Sequence, residues 1–565
     1  MKKIINKMSM IVMLAVLAVS CNDFEEINTR PDAFGSDEVS AKFFLTGAQI
    51  GLYAPDRYPY WRAQLIHADR YAGHFTFGFK GSWWSDDLGY NYNSGYTDAA
   101  FDWLNNYVGK LNTYMSFVQP GGDLENENYY ALGLIMKSLY YQMFTDTFGM
   151  IPYSEVGDPD VVAPKFDTQA EIYEGIINDL NSAMTTIGSA TTTGEGVELL
   201  TTNDLFFGGD LQAWKKLANT LKLRMGLRAQ GATGADFATT AINEALQGGL
   251  LTTSEENAMM EKDTEIDQWA NAAYGDVWHN FGGLGSKWNV GKTLVDYLRN
   301  NNDPRLPKYA QPIDGGEVTF IKPASGSAET LFGKHVDFIT DLLDDAGVVY
   351  TRVNSADEVK ITVTPGEYYV GQPTRVNSEI STHLYDALFS RPAEIITNPK
   401  NQGVPIKAEV VLTAAEGNFL QAEAIVKGFA TGDAEALYQE GIRQAMKLWE
   451  VSDGDIDTFL ANEDMALLDG TMDENLEKIA VQRWIAAYTD GFEAWAIVRD
   501  TGYPKVLADG VSDYDIYGGG TLNGKYPERM RYGSNVYNTN GDNAASAIQV
   551  QGADEQGTKL WWAKQ

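Results

Sequence analysis

Ala131-Leu132-Gly133-Leu134-Ile135-Met136-Lys137-Ser138-Leu139-Tyr140-Tyr141-Gln142-Met143-Phe144-Thr145-Asp146-Thr147-Phe148-Gly149-Met150-Ile151-Pro152 is the stretch whose reading decides the fold. Leu132, Ile135, Met136, Leu139, Tyr140 and Met143 recur at steps of three and four, which puts them on one side of an α-helix. Gly149 stops that helix and Pro152, lacking an amide hydrogen, prevents its continuation.

The same signature repeats downstream. Thr168-Gln169-Ala170-Glu171 is a capping box, and Ile172, Ile176, Leu180 and Met184 supply the apolar side of the helix it starts. Trp214, Leu217, Ala218, Leu221 and Met225 predict another helix, with Lys215, Lys216, Lys222, Arg224 and Arg228 placed around it. Those cations are expected to pair with neighbouring carboxylates and to complement helix C-termini. Helix is predicted again over Ala408 to Lys427 and Ala434 to Glu450, joined across Gly428–Asp433 as an αα-hairpin. Ala415, Phe419, Ala422, Gly441 and Ala445 sit where tetratricopeptide-like hairpins stack, although no fixed period runs along the chain. Leu476, Ile479, Ala480 and Trp484 open a last helical block that ends at Gly502-Tyr503-Pro504.

Other stretches depart from this pattern. Residues 311 to 406 read as loops holding short strands at Val318–Ile321, Val348–Thr351 and Val359–Val363. Lys42 to Gly51 predicts a first helix. Residues 53 to 107 are dense in Tyr, Trp and Phe between Gly, Asn, Asp and Ser. Together these stretches predict helices and a helical hairpin, with a few short β-strands among loops.

The N-terminus carries an address. Lys2, Lys3 and Lys7 precede an apolar run from Met8 to Val19, too short to span a bilayer that needs ~20 helical residues. Cys21, the only cysteine, stands at the end of this run and is expected to be the lipidated first residue after residues 1–20 are cleaved as a lipoprotein signal. Ordinary cleavage after Ser20, leaving a free thiol, is the alternative. Residues 21–40 form an acidic tether, and 41–565 are expected to be a single domain. Asp23, Glu25 and Glu26 beside the anchor resemble the surface-export signal of Bacteroidetes lipoproteins.

Without residues 1–20, 40 Lys and Arg face 77 Asp and Glu, a net charge of −37. That balance argues against nucleic acid and against adhesion to anionic lipid, leaving membrane attachment to acyl chains. No chemical motif stands out. Gly285 to Thr293 looks like a phosphate loop but has five residues between its glycines where the motif has four. His67 and His74 are seven apart, the wrong spacing for one helical face, and there is neither H-E-x-x-H nor G-x-S-x-G. No cofactor, metal or catalytic residue is expected.

Aromatic chemistry remains. Sugar rings stack on Trp and Tyr while Asn, Asp and Arg collect hydroxyls. Trp83, Trp84, Tyr90, Asn91, Tyr92 and Asn93, with Arg70 upstream, form one candidate ligand surface. Trp269, Trp278 and Trp288 form a second.

Across the mature chain, Ile27-Asn28-Thr29-Arg30-Pro31, Thr145–Glu155, Trp214–Arg224, Asp303-Pro304-Arg305-Leu306, Gln421–Ala424, Gln482–Ala486, Arg499–Pro504, Arg529–Tyr532 and Leu560-Trp561-Trp562 occur in order. Together these resemble the SusD/RagB family of nutrient-binding outer-membrane lipoproteins, in its SusD-like branch. The resemblance implies a mainly α fold with tetratricopeptide-like hairpins and a loop-rich half with a few short β-strands, no enzymatic activity, and a lid on a TonB-dependent (SusC-like) outer-membrane transporter that captures oligosaccharide or peptide at the cell surface. The competing readings are a secreted helical glycoside hydrolase using a carboxylate pair and a ligand-free tetratricopeptide-like scaffold.

Overall fold

The computed structural model describes residues 39–76, 90, 92–194, 197–264, 272–282, 288–374, 385–511 and 521–564. Helix α1 (Ala41–Tyr53) leads through a π-helical stretch, Tyr60–Asp69, to strand β1 (Phe75–Thr76). Then come α2 (Ser94–Val118), α3 (Glu127–Phe148), β2 (Ile151–Pro152), β3 (Phe166–Asp167), α4 (Gln169–Ile187), α5 (Leu211–Ala229) and α6 (Phe237–Leu246). The middle holds β4 (Ala258–Met260), α7 (Tyr274–Gly282), β5 (Asn289–Val290), α8 (Lys292–Asn300), β6 (Gly316–Ile321), α9 (Phe332–Asp345), β7 (Tyr350–Asn354) and β8 (Glu358–Val363). Last are β9 (Glu409–Leu412), α10 (Ala414–Val426), α11 (Ala434–Lys447), α12 (Asp453–Asn462), α13 (Met472–Ala486), α14 (Gly491–Thr501) and α15 (Gly541–Gln551). The fold is mainly α with few short strands.

Successive helices pack as hairpins, α3 on α4, α5 on α6, α10 on α11 and α13 on α14, and α10 ties the two series together through α5 and α13. Their starts follow the sequence. Thr168 and Glu171 form the capping box of α4, and Asp210 accepts the amides of Gln212 and Ala213 at the head of α5. The α10–α11 contact is close because Gly441 has no side chain: a Cβ there would lie 2.6 Å from the Phe419 ring. One helix is shorter than expected. Glu409–Leu412 is a strand, antiparallel to β4, and the helix begins only after Thr413 caps the Glu416 amide. β-branched Val410 and Val411 favour the extended form, and burial on both faces secures it. A smaller shift is that Val348 and Val349 follow the turn at Ala346 and Gly347 without joining the sheet, so β7 starts at Tyr350.

Most buried apolar residues form one cluster running from Ala41 to Ala563. A separate cluster lies within 313–389, where α9 covers the antiparallel sheet β6-β8-β7. The cations of α5 pair as expected: Lys216 with Glu256, Lys222 with Glu244, Arg224 with Glu416, and Arg228 with both Asp146 and Glu493. Lys215 donates to the Gly188 carbonyl at the C-terminus of α4.

Asp490 caps α14, accepting the Glu493 amide at 3.3 Å. Burial pushes its carboxyl up to about 8 against the pull of Arg224, with Glu493 adding repulsion. A carboxyl raised on folding contributes stability that is complete below its unfolded value, about 3.9, and is lost as pH rises through about 8. Asp490→Asn keeps the cap acceptor. Its advantage over the parent chain should grow by at least about 1.4 kcal/mol between about pH 5 and about pH 8, read from urea unfolding at the two pH values.

Candidate functional site

A cleft of about 590 Å³ opens between the end of α1, the loop after it, and one side of α2. Its floor is fixed by two hydrogen bonds across the helices: Tyr107 Oη donates to the Ala48 carbonyl and Trp103 Nε1 to the Gly51 carbonyl, each at 3.0 Å. Gly51 permits this approach, since a Cβ there would stand 3.3 Å from both Tyr107 and Lys110. Pro55 and Pro59 stiffen the opposite wall. Polar groups ring the aromatic floor. Asp102, Asn106 and Lys110 come from α2 and Asp56 from the loop, where its carboxylate also caps the Tyr58 amide at 2.8 Å. Desolvation, then repulsion from Asp98, raises the Asp102 carboxyl. Beside the Pro59 end, the Arg62 guanidinium lies 5.0–5.4 Å from the rings of Tyr58, Trp61 and Tyr96, a fixed positive group in an acidic protein.

This arrangement suits a ring-shaped polyol, with an apolar face for stacking and carboxylate, amide and ammonium groups for hydroxyls. The nominated residues did not include it, yet a signal was present. Ala99, Asp102, Trp103, Asn106, Tyr107 and Lys110 share one helical stripe, and that stripe mixes polar with aromatic side chains where a core-facing one would be apolar.

The second candidate aromatic group packs on Phe75, which belongs to neither group. β1 pairs antiparallel with β5, Phe75 opposite Val290, which sets Phe75 4.8 Å from Trp288. Trp288 is fully buried and Trp278, 8% exposed, packs edge-on against it at 5.2 Å. From Phe75 the rings continue through Tyr488 to Tyr309 and Trp449, an aromatic core. Arg70 and Tyr90 are also buried, the guanidinium 5.3 Å from the Tyr90 ring, with Tyr71 and Trp495 behind. Tyr92 and Asn93 stay half-buried at the head of α2, where Arg531 lies 4.2 Å over the Tyr92 ring. Cys21, Trp83, Trp84, Asn91 and Trp269 lie outside the described residues. His67 and His74 are buried, and burial lowers them to about 4 and about 3, so both are neutral; His74 bonds the Trp484 carbonyl. No group of three or more potential metal ligands occurs among the described residues.

Residues 36–533 match a SusD-like family model described as starch-binding and associating with the outer membrane. No curated protein matches the chain. Among solved structures, a chitin-binding protein is 23% identical with a TM-score of 0.71, covering 93% of this chain and 100% of its own. A SusD-like protein from Bacteroides thetaiotaomicron VPI-5482 is 22% identical with a TM-score of 0.68, covering 93% and 99%. A Bacteroidetes SusD-like protein is 19% identical with a TM-score of 0.71, covering 93% and 100%.

Proposed function

The chain belongs to the SusD-like family of outer-membrane-associated, glycan-binding proteins, and from that premise we propose that it is a lipid-anchored surface protein. It captures oligosaccharide, or peptide, and passes it to a TonB-dependent transporter without cleaving it. The observation that carries the capture step is the cleft between α1 and α2, with Trp103 and Tyr107 beneath Asp56, Asp102, Asn106 and Lys110. At about 590 Å³ it falls within the range of small-ligand sites and holds one or two sugar rings. Starch is the ligand in the family description and chitin the ligand of one structural relative, so malto- and chito-oligosaccharides are the first probes.

The test is calorimetric titration of the purified chain with both series, beside a glycan and peptide array. Trp103→Ala should weaken the preferred ligand at least roughly tenfold, the loss of a stacking face and its buried contacts. Asn106 is exposed, so Asn106→Ala removes a hydroxyl partner without disturbing the helix and should give a smaller loss in the same direction. Unchanged affinity in both variants would place the ligand elsewhere. Reducing ends in the same mixtures should stay constant; product release abolished by Asp102→Asn would establish the hydrolase instead.

A further inference from the structure

Helices α5, α10, α13 and α14 enclose a second cavity, of about 300 Å³, that shares no lining residue with the cleft between α1 and α2. Leu227, Leu476, Ala480 and Tyr503 give it apolar walls. Three carboxylates, Glu423, Asp473 and Asp500, line it against one cation, Lys427. These charges are not equivalent. Glu423 is satisfied, accepting from Lys427 at 2.7 Å and from Arg483 at 2.8 Å, and this pairing also occupies Lys427. Asp500 and Asp473 have no hydrogen bond or ion pair through their side chains among the described residues. The cavity therefore holds a surplus of negative charge, carried by half-buried Asp500 and exposed Asp473, with an aromatic ring at its edge.

We propose that this cavity is a binding site for an alkylammonium group, carried by an amino sugar, a polyamine or a lysine side chain, with Asp500 as its counter-ion. An ammonium donates to the carboxylate that lacks a partner, while Tyr503 and the leucines cover its carbon skeleton. An anion would meet Asp473 and Asp500, and a neutral sugar would leave the surplus charge uncompensated. The volume fits a group no larger than a monosaccharide or a short alkyl chain. The site is a function beyond glycan capture and does not depend on it.

Asp500 faces Lys427 and Glu423 from α10, Arg483 and Asp473 from α13, Arg228 from α5, and Tyr503 just beyond its own helix. Burial pushes its carboxyl up to about 6, with Arg228 and Lys427 pulling the other way. It is ionised at neutral pH and loses its charge as pH falls through about 6, whereas an alkylamine keeps its proton.

The experiment uses the full chain in detergent and calorimetric titration with cadaverine, glucosamine and, as the uncharged ring control, N-acetylglucosamine. At about pH 7.5 cadaverine or glucosamine should bind at this site. Binding of cadaverine alone assigns a linear amine, and of glucosamine alone an amino sugar. Asp500→Asn should weaken the amine roughly tenfold to a hundredfold, the value of a charged hydrogen bond, and a shift to about pH 5 should weaken the parent chain in the same sense. Lys427→Met removes the opposing cation, leaves Glu423 its bond from Arg483, and should tighten binding. A mere packing defect would weaken binding in both variants, so parallel losses would overturn the proposal. So would absence of any amine binding, or equal affinity of Asp500→Asn and the parent. Trp103→Ala should leave cadaverine binding unchanged, which separates the failure of this site from failure of the cleft.

Discussion

Replacing Arg228 by Met should cost the protein about 3–5 kcal/mol of stability, more than any exposed ion pair in the molecule contributes. Arg228 is 1% exposed in its side chain and bridges two helices through carboxylates that are as deeply buried. One guanidinium nitrogen meets Asp146 at 2.7 Å and another meets Glu493. Met fills most of the space but supplies no donor. Asp146 would keep its bonds from Tyr173, Gln142 and Trp562, and Glu493 its longer ion pairs with Arg224 and Arg483 at 3.5 and 3.6 Å. Both anions would still be short of positive charge in a region that water does not reach. The cost arises from these stranded carboxylates rather than from the lost attraction itself. Urea unfolding followed by tryptophan emission measures it, since the Trp562 ring lies 5.5 Å from the guanidinium. Lys505→Ala, which removes an exposed i,i+4 pair with Asp509, should shift the midpoint imperceptibly. Equal midpoints for the two variants would remove Arg228 from its place as the keystone between α3, α5 and α14.

The helical half of this fold is legible because its signals are local. The capping box at Thr168, the stop at Gly149 and the hairpin across Gly428–Asp433 each involve residues within a turn or two of one another. Glu409–Leu412 was not legible, because the partner that makes it a strand, Ala258–Met260, is about 150 residues away and its apolar run merges into the next helix. The site divides in the same manner. Aromatic density marked residues 53 to 107 as unusual, but a ring's type does not say which face is free. Pairing of Phe75 with Val290 decided that for Trp288, by packing it against Phe75 and burying it. Trp103 and Tyr107 lie in the same dense stretch, and what distinguishes them is the polar company on their helical stripe. That pattern becomes a cleft only when α1 crosses at Gly51.

Cys21→Ala should release the chain from the membrane fraction almost completely. The residue is the only cysteine and follows a charged, apolar, small-residue leader, which makes it the one candidate for acylation. No helix among the described residues is long and apolar enough to cross a bilayer. Removal of residues 1–20 leaves a net charge of −37, which opposes contact with anionic headgroups at every salt concentration where charge is felt. If acyl chains at Cys21 form the anchor, as proposed, each buried CH₂ contributes about 0.8 kcal/mol, and because a single chain holds only marginally, more than one is needed. Losing the thiol would then remove all of that energy at once. Detergent partition and sedimentation of membranes at moderate salt read the outcome. The proposed transporter partner could hold the variant through protein contact alone, so the measurement is made in cells that lack a SusC-like transporter. Release there, with the parent chain retained, fixes the anchor at Cys21; retention of the variant would mean that a surface of the folded protein itself binds the membrane.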